Sequence, residues 1–322
     1  MAKILLTGCA GFIGSHTAER LLEAGHEVIG IDNFSRFYHR SIKERNMSGF
    51  IDHPSFTFHK VDIRDKKELF ETLQTPVDVV VHLAAKAGVR PSINDPKAYI
   101  EVNVNGTHNI LQWMVETGCK KLFFASSSSI YGNQKAIPFK EDEVDDKPIS
   151  PYAATKRAAE LMNYTYHHLY RIDVINARFF TVYGPRQRPD LAICKFTKLI
   201  DEDTPIQMYG DGSTARDYTF ITDTVSGIFN SVNYLLSHSG VYETINLGNN
   251  TPVLLRDLID ALYRSLNKAP NINQLPMQEG DVDITYADIS RARDLIGYSP
   301  KVKFEDGISA FIKWYRSPEY VA

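Results

Sequence analysis

The chain opens with the stretch that decides its fold, Lys3-Ile4-Leu5-Leu6-Thr7-Gly8-Cys9-Ala10-Gly11-Phe12-Ile13-Gly14. The first part is a short apolar run typical of a buried strand, and a helical pattern follows over residues 16–24. Glycines spaced three apart between strand and helix let backbone N–H groups approach a pyrophosphate at the helix N-terminus. The stretch therefore predicts the first βα unit of a dinucleotide-binding sheet, with the cofactor held at Gly8, Gly11, Phe12, Ile13 and Gly14.

The residues after the next predicted strand, 27–31, indicate which dinucleotide is bound. Asp32 ends that strand and Asn33 follows it. A carboxylate at this position accepts hydrogen bonds from the adenosine ribose hydroxyls and repels a 2′-phosphate. The sequence therefore predicts NAD rather than NADP at this site.

Strand and helix patterns alternate through the first half of the chain. Further apolar runs predict strands at residues 56–61, 77–83, 121–125 and 174–178. Helical patterns lie between or after them, at residues 66–73, 99–117 and 152–170. This alternation predicts an α/β fold, a Rossmann-type doubly wound parallel sheet covered on both faces.

After residue 178 the pattern changes to turns and short elements, with helical patterns at 254–266 and 305–315. We interpret residues 179–216 and 247–322 as a smaller C-terminal α+β substrate lobe. Residues 1–178, with about 217–246, would form the NAD-binding domain, because the helical pattern at 222–236 is expected to return to it. Such a lobe would cover the carboxyl ends of the strands, where ligands bind in these sheets.

Composition limits the class of protein. The chain has 322 residues, 43% hydrophobic and 23% charged, with a formal net charge of -3. These values are ordinary for a globular protein and point to neither nucleic acid nor a membrane as partner. Cys9, Cys119 and Cys194 fit neither a disulfide framework nor a metal site. No leader pattern or transmembrane run is visible, so the simplest expected location is the cytoplasm.

The segment Ser150–Lys156 carries the candidate chemistry. Tyr152 and Lys156 lie four residues apart at the start of a helical pattern, one turn apart on the same helix face. An ammonium beside a phenol favours the phenolate and lowers the Tyr pKa. A phenol tuned in this way can act as a general base for a hydroxyl proton.

Six motifs occur together in the chain: Gly8-x-x-Gly11-x-x-Gly14, Asp62-Ile63, His82-Leu83-Ala84-Ala85, Asn103-Val104-Asn105-Gly106-Thr107, Ser127 and Tyr152-x-x-x-Lys156. Together they resemble the extended short-chain dehydrogenase/reductases, the family of nucleotide-sugar epimerases and dehydratases, over essentially the whole chain. The resemblance implies catalytic roles for Ser127, Tyr152 and Lys156. It also implies that the cofactor is contacted by Asp62, Ile63, Leu83, Ala84, Ala85, Lys86, Asn103 and Lys156.

The stretch Ser126-Ser127-Ser128-Ser129-Ile130-Tyr131-Gly132 contains no carboxylate. Dehydratases of this family carry an Asp-Glu pair there, and the related decarboxylases carry a Glu. The site therefore has groups for oxidising and re-reducing one carbon but none visible for elimination. The resemblance favours an epimerase that works through a 4-keto intermediate with tightly bound NAD.

Three further stretches resemble those of UDP-glucuronate 4-epimerases: Ala87-Gly88-Val89-Arg90, Thr181 with Arg186-Gln187-Arg188-Pro189-Asp190, and Met277-Gln278-Glu279-Gly280-Asp281-Val282. A guanidinium offers a fork that matches a carboxylate. Arg188 is the preferred candidate for the sugar carboxylate, and Arg186 remains an alternative. The resemblance further implies that the UDP-sugar contacts Gly88, Val89, Arg90, Ser127, Ser128, Ser129, Thr181, Arg216 and Asp281.

Three other functions remain open at this point. They are a 4-epimerase of UDP-glucose or UDP-N-acetylglucosamine, a UDP-glucuronate decarboxylase, and a non-catalytic NAD-binding regulator. The third is disfavoured because a regulator has no physical need for Ser127, Tyr152 and Lys156 together. Relatives commonly pair through two long helices, so the helical patterns at 99–117 and 152–170 predict a homodimer.

Overall fold

The computed structural model describes residues 1–276 and 284–320. Its strands are β1 Lys3–Thr7, β2 Glu27–Asp32, β3 Phe56–Lys60, β4 Val79–His82, β5 Lys121–Ser127, β6 Asp173–Phe179, β7 Thr181–Tyr183, β8 Ile206–Tyr209, β9 Ala215–Phe220, β10 Tyr242–Leu247, β11 Pro252–Leu254 and β12 Ile272–Leu275. Its helices are α1 Phe12–Glu23, α2 Arg40–Met47, α3 Lys66–Thr72, α4 Val89–Asn94, α5 Pro96–Tyr99, α6 Thr107–Thr117, α7 Pro151–Tyr170, α8 Ala192–Asp201, α9 Ile221–Ser237, α10 Leu255–Leu266, α11 Ser290–Ile296 and α12 Phe304–Tyr315.

A parallel sheet forms the centre of the molecule, with the strand order β10-β6-β5-β4-β1-β2-β3. The predicted doubly wound α/β fold is confirmed. The strand order reverses where β1 lies between β2 and β4, and a crevice opens at the carboxyl ends of strands at such a point. Nearly every residue of β1, β5 and β6 is buried, which explains their apolar sequences.

Two features of this region departed from the sequence pattern. The edge strand β10 was not predicted, and it pairs with β6 from Tyr242↔Val174 to Leu247↔Phe179. The helix predicted at 99–117 is not one α-helix, because a π-helical segment, Ile100–Gly106, separates α5 from α6. This segment carries Asn103, whose side chain is buried against the loop after β4.

The rest of the chain builds smaller sheets beside the carboxyl ends of the central strands. β9 lies between β11 and β7, and β12 pairs with β8. Helix α10 packs between α8 and α12, while α9 packs against α1 and β5 of the main body. Treating residues 179–216 and 247–322 as a separate lobe remains our proposal.

The catalytic helix α7 is defined by clear local signals. The Ser150 side chain accepts a hydrogen bond from the N–H of Ala153 at 3.2 Å, and Pro151 occupies the first turn. Its buried face includes Ala153, Lys156, Glu160 and Asn163, at the spacing of one helix stripe. Two charged side chains are thereby forced into the interior, and both must find partners there.

No helix in the described ranges combines the length and apolar character needed to cross a bilayer. Over the same residues, no group of three or more His, Cys, Asp or Glu side chains could hold a metal ion. Cys9, Cys119 and Cys194 are buried free thiols.

Candidate active site

A cavity of about 980 Å³ follows the carboxyl ends of β1, β2, β4, β5 and β6. It is lined by almost every residue that the sequence singled out: Gly8, Gly11, Phe12, Ile13, Gly14, Asp32, Asn33, Asp62, Ile63, Leu83, Ala84, Ala85, Lys86, Gly88, Val89, Arg90, Ser127, Ser128, Ser129, Tyr152, Lys156, Thr181, Arg188 and Arg216. Asn103 is not among the lining residues. Asp281, like the whole stretch 277–283, lies outside the described residues.

The glycine turn has the shape of a phosphate cradle. Gly8 adopts φ +75°, and a Cβ there would lie 2.9 Å from the backbone nitrogen of Ala84. A Cβ on Gly14 would lie 2.0 Å from the carbonyl oxygen of Gly8. Helix α1 begins directly after Gly11 with no side-chain cap, so its first N–H groups remain available at the cavity. These residues fit a dinucleotide pyrophosphate.

Asp32 is buried and paired with Lys43 from α2. Its Oδ1 accepts hydrogen bonds from Lys43 Nζ at 3.1 Å and from the N–H of Phe34 at 2.8 Å. Within the described chain, Oδ2 receives no hydrogen bond and remains available for a ribose hydroxyl. Lys43 offsets much of the negative charge, so repulsion of a 2′-phosphate is weaker than Asp32 alone would give.

A second pair of residues closes the adenosine end. Asn33 Nδ2 donates to Asp62 Oδ2 at 2.9 Å, which ties the loop after β2 to the loop after β3. Arg64 donates to the same carboxylate from Nε and Nη2. Burial alone would raise the pKa of Asp62, but the hydrogen bonds from Arg64 and Asn33 lower it to about 2. The carboxylate is therefore charged at neutral pH.

Asn103 does not line the cavity but is buried behind it, where its side chain connects two segments of the chain. Its Oδ1 accepts from the N–H of Lys86 at 2.8 Å, and its Nδ2 donates to the Lys86 carbonyl at 2.9 Å and to Thr155 Oγ1 at 3.1 Å. It thus joins the cofactor loop after β4 to the start of α7. A cofactor contact of Asn103 remains a prediction, and the structure places Asn103 behind Lys86, which itself lines the cavity.

The predicted catalytic pair Ser127 and Tyr152 meets at the end of β5. Ser127 Oγ accepts hydrogen bonds from the N–H of Ser129 at 3.2 Å and from the Ser129 hydroxyl at 2.9 Å, and it lies close enough to the Tyr152 phenol to act on its pKa. The Tyr152 ring packs edge-on against Tyr99, with centroids 6.1 Å apart. Burial raises the pKa of Tyr152, while Ser127 and the charge of Arg188 oppose the rise.

That direction is opposite to the one predicted from the sequence, because burial of the Tyr152 phenol outweighs the groups that lower its pKa. Lys156 Nζ donates to the carbonyl of Ala125 at 2.8 Å, and no hydrogen bond between Lys156 and Tyr152 occurs in the described residues. Burial lowers the pKa of Lys156 to about 7, against the opposing charge of Glu160. Lys156 therefore loses its proton more readily than a solvent-exposed lysine does.

A buried ion pair lies directly behind this catalytic group. Glu160, one turn after Lys156, accepts from Arg178 Nε and Nη2, both at 2.9 Å, and from the Ser126 hydroxyl at 2.6 Å. Burial would raise the pKa of Glu160, but Arg178 and Ser126 lower it overall. Arg178 also donates to the Tyr131 hydroxyl at 3.1 Å. The network fixes the end of β5 against α7.

The two candidate arginines for a sugar carboxylate lie in different places. Arg186 Nη2 donates to Glu19 of α1 at 2.8 Å, and Arg186 does not line the cavity. Arg188 lines the cavity, and its charge acts on Tyr152. Arg188 is therefore the candidate that the geometry retains. Thr181, Ser128 and Ser129 line the same part of the cavity.

Acidic side chains lie at one end of the cavity only. Among the described lining residues, the carboxylates are Asp32 and Asp62, both at the adenosine end. No Asp or Glu of this set stands beside Ser127 and Tyr152. An elimination needs a further acid and base at the sugar, and the described lining offers none there.

Sequence reasoning missed four residues that hold this site: Glu160, Lys43, Phe37 and Asp190. The spacing of Glu160 from Lys156 was a usable signal, because residues four apart share a helix face. Asp190 stands in the stretch quoted with Arg188, two residues after it, but its carboxylate was not assigned as the partner of Arg188. Lys43 and Phe37 act across the fold, and nothing local in the sequence marks them.

Comparison with known proteins gave consistent matches. The profile of the GDP-mannose 4,6 dehydratase family matches residues 5–311. A UDP-glucuronate 4-epimerase of Thermodesulfobacterium geofontis is 42% identical over 318 residues, covering 98% of this chain and 96% of that protein. An uncharacterised protein of Methanocaldococcus jannaschii is 45% identical over 316 residues, covering 97% and 96%.

The fold also matches a solved structure. The UDP-glucuronic acid 4-epimerase of Bacillus cereus, crystallised with UDP-glucuronic acid and NAD, superposes with a TM-score of 0.89 at 35% identity. The match covers 97% of this chain and 98% of that one.

Proposed function

The chain belongs to the GDP-mannose 4,6 dehydratase family of extended short-chain dehydrogenase/reductases, and we propose that it is an NAD-dependent UDP-glucuronate 4-epimerase. It would interconvert UDP-glucuronate and UDP-galacturonate through a 4-keto intermediate. The observation that carries the proposal is one cavity that joins Ser127 and Tyr152 to Arg188. Curated relatives and a solved structure with the same activity in their names support it.

The residues that would hold NAD are the glycine turn, Asp32, Asp62 and the loop from Leu83 to Lys86. Bound NAD⁺ supplies a reversible hydride acceptor and a positive charge that favours a phenolate nearby. The cradle at Gly8 and Gly14 and the unpaired Oδ2 of Asp32 fit this cofactor.

Tyr152 is the proposed general base. Its phenolic oxygen accepts the C4 hydroxyl proton while that carbon is oxidised to a ketone, and Ser127 holds the same oxygen by a hydrogen bond. After the keto sugar has rotated to present its opposite face, a hydride returns to C4 and Tyr152 gives the proton back to the C4 oxygen. No net redox change results, so the cofactor must stay bound throughout.

The carboxylate of the intermediate needs control, because a β-keto acid loses CO₂ readily. We propose that four lining residues hold this carboxylate in an orientation that disfavours decarboxylation: Arg188, Thr181, Ser128 and Ser129. Arg216 at the same cavity is proposed to contact the diphosphate. The family name describes a dehydratase, but no Asp or Glu among the described lining residues stands at the sugar end, since Asp190 contacts Arg188 without lining the cavity itself. This lining favours epimerisation.

The test is purified protein with UDP-glucuronate and no added cofactor, followed by NMR. We expect UDP-galacturonate to appear, and denatured protein to release NAD⁺ or NADH but no NADP(H). A UDP-pentose as the main product would instead assign a decarboxylase. Turnover of UDP-glucose or UDP-N-acetylglucosamine, without turnover of UDP-glucuronate, would assign a neutral-sugar epimerase.

We also propose that the protein is a homodimer. Large apolar side chains are exposed on two neighbouring helical segments, with Leu161 and Tyr164 of α7 each 54% exposed and Ile100 50% exposed. Contiguous exposed apolar surface of this kind marks an interaction site. Leu161→Lys with Tyr164→Glu should give a monomer in sedimentation, and an unchanged dimer would place the interface elsewhere.

A further inference from the structure

Arg188 is held by two residues from different parts of the chain. Its Nε and Nη2 donate to the two carboxylate oxygens of Asp190 at 3.0 and 2.9 Å. Its Cζ lies 5.1 Å from the ring centroid of Phe37. A guanidinium carries five N–H donors in a planar fork. This pairing therefore leaves Nη1, which makes no hydrogen bond within the described residues, for a further acceptor.

Phe37 contacts Arg188 from the side of the cavity where the cofactor is proposed to bind. It lies in the loop between β2 and α2, and the start of that loop is fixed by the hydrogen bond from the Phe34 N–H to Asp32. Lys43, which also pairs with Asp32, lies 5.3 Å from the ring centroid of Tyr38. The loop that touches the adenosine end is thus the same loop that covers Arg188.

We propose that Asp190 and Phe37 are positioning residues that orient Arg188 for the sugar carboxylate and so set the preference for acidic over neutral UDP-sugars. The inference rests on the proposed function. An arginine side chain that is already ordered loses less freedom on binding its ligand. Ordering one such side chain before binding raises the affinity for its ligand roughly two- to tenfold.

Asp190 could also act in the opposite way, by competing with the sugar carboxylate for Arg188. A carboxylate that filled the fork of Arg188 and had to be displaced would weaken binding of an acidic sugar. The observed pairing uses the Nε side of the guanidinium and leaves Nη1 outside it, which favours positioning. The two roles predict changes of opposite sign when Asp190 is removed.

The experiment measures ligand affinity by calorimetry in a Tyr152→Phe background, so that the ligand is not turned over. Asp190→Ala should weaken UDP-glucuronate roughly three- to tenfold and leave UDP unchanged. Asp190→Asn keeps the side-chain volume and serves if the alanine variant does not fold, with a smaller loss in the same direction. Tighter binding of UDP-glucuronate in either variant would establish competition and overturn the proposal.

A double substitution separates positioning from a general structural effect. Once Arg188→Ala is present, Asp190→Ala should cause no further loss of UDP-glucuronate affinity, because its target is gone. An equal loss with and without Arg188 would overturn the proposal for Asp190.

Phe37 has a matched pair of variants. Phe37→Leu keeps an apolar side chain but removes the ring, and should weaken binding of UDP-glucuronate about two- to fivefold, the lower part of the range for a cation–π contact. Phe37→Tyr keeps the ring and should bind as the parent does. Equal affinities for the leucine and tyrosine variants would remove Phe37 from this role.

Measurements on the parent protein, with Asp190 intact, distinguish a failure of this inference from a failure of the proposed function. Parent protein that binds UDP-glucuronate no better than UDP-glucose would contradict the proposed function itself. Parent protein that discriminates between them, with Asp190→Ala and Phe37→Leu discriminating equally well, would contradict only the positioning role.

Discussion

The proposed catalytic end and the proposed sugar-carboxylate end of the cavity are both held by bidentate Arg–carboxylate pairs, but the two pairs differ in burial. The Arg178 and Glu160 side chains are 2% and 1% exposed, whereas those of Arg188 and Asp190 are 17% and 40% exposed. Each pair has its closest contact at 2.9 Å. A buried pair cannot lose one member without leaving a charge in the core, while a part-exposed pair can exchange water or ligand for its partner.

This difference indicates a division of tasks within one cavity. The catalytic groups are fixed by the fold before any ligand arrives, and substitutions behind them should affect stability as well as rate. The carboxylate end is built from contacts that can be adjusted, and substitutions there should affect affinity and selectivity. The following predictions test that division, from the largest expected effect to the smallest.

Tyr152→Phe should have the largest effect on catalysis. Removing the phenolic oxygen takes away the proton acceptor but keeps the ring contact with Tyr99. Turnover should fall by roughly 10² to 10⁴, the range for one general acid–base group. Steady-state rates with UDP-glucuronate measure this, with bound NAD and the thermal midpoint as controls. Turnover near that of the parent would exclude Tyr152 as the base.

Glu160→Gln should have the largest effect on stability. It leaves the Arg178 guanidinium buried without its counter-charge, so the free energy of unfolding should fall by about 3–5 kcal/mol. Denaturant unfolding at pH 7 measures this. A loss below 1 kcal/mol would show that the catalytic end is not more rigidly built than the carboxylate end.

The same variant should change the pH dependence of turnover. The charge of Glu160 raises the pKa of Lys156, which burial holds at about 7. Without that charge the pKa of Lys156 falls, and the ammonium is lost at lower pH. If the ammonium supports the Tyr152 phenolate, the alkaline limb of kcat should move to lower pH. An alkaline limb at the same pH in the variant and in the parent would show that Glu160 does not control the charge of Lys156.

Arg188→Ala should affect binding and leave the fold intact. A charge-assisted hydrogen bond contributes about 1.5–3 kcal/mol, so the affinity for UDP-glucuronate should fall roughly ten- to a hundredfold. The affinity for UDP should hardly change, because the nucleotide end is held elsewhere. Calorimetry with both ligands measures this. A proportional loss for the two ligands would move Arg188 to the diphosphate and favour the neutral-sugar epimerase.

Glu44→Gln should have the smallest effect and is the control for ion pairs. Arg40 Nε lies 2.7 Å from Glu44 Oε1, closer than either pair compared above, but both side chains are more than half exposed. Such a surface pair contributes about 0.3–0.5 kcal/mol. A loss comparable to that of Glu160→Gln would show that distance, not burial, decides the value of these pairs.

Most of the fold was predictable because its signals are local. The apolar runs before Gly8 and before Asp32 are typical of strands buried on both faces, and the glycine turn follows the first directly. Strand β10 was not predicted, because it joins its sheet from beyond the irregular segment after β6. The π-helical segment at Ile100–Gly106 has no periodic signature distinct from a continuous helix.

The residues of the candidate site that have local sequence signals were predictable, as the fold was. Tyr152 and Lys156 are linked by helix periodicity, and Ser127 by its motif. The raised pKa of Tyr152 was not predictable, because it depends on burial by the assembled fold. The attachment of Arg188 to Phe37 joins residues far apart in the chain, and only the folded structure shows it.

The late strand β10 has a consequence for how the protein is made. The N–H of Val241 donates to Asp173 at 2.8 Å across 68 residues, and the pairing of β10 with β6 begins there. During synthesis from the N-terminus, β6 leaves the ribosome before β10 exists, with β7, β8, β9 and the two helices α8 and α9 in between. The central sheet therefore keeps an unpaired edge while the intervening segment emerges, and an unpaired edge is a template for wrong association. The edge beside β6 is closed only after residues 180–241 have been made, so completion of the central sheet requires synthesis at least as far as Leu247.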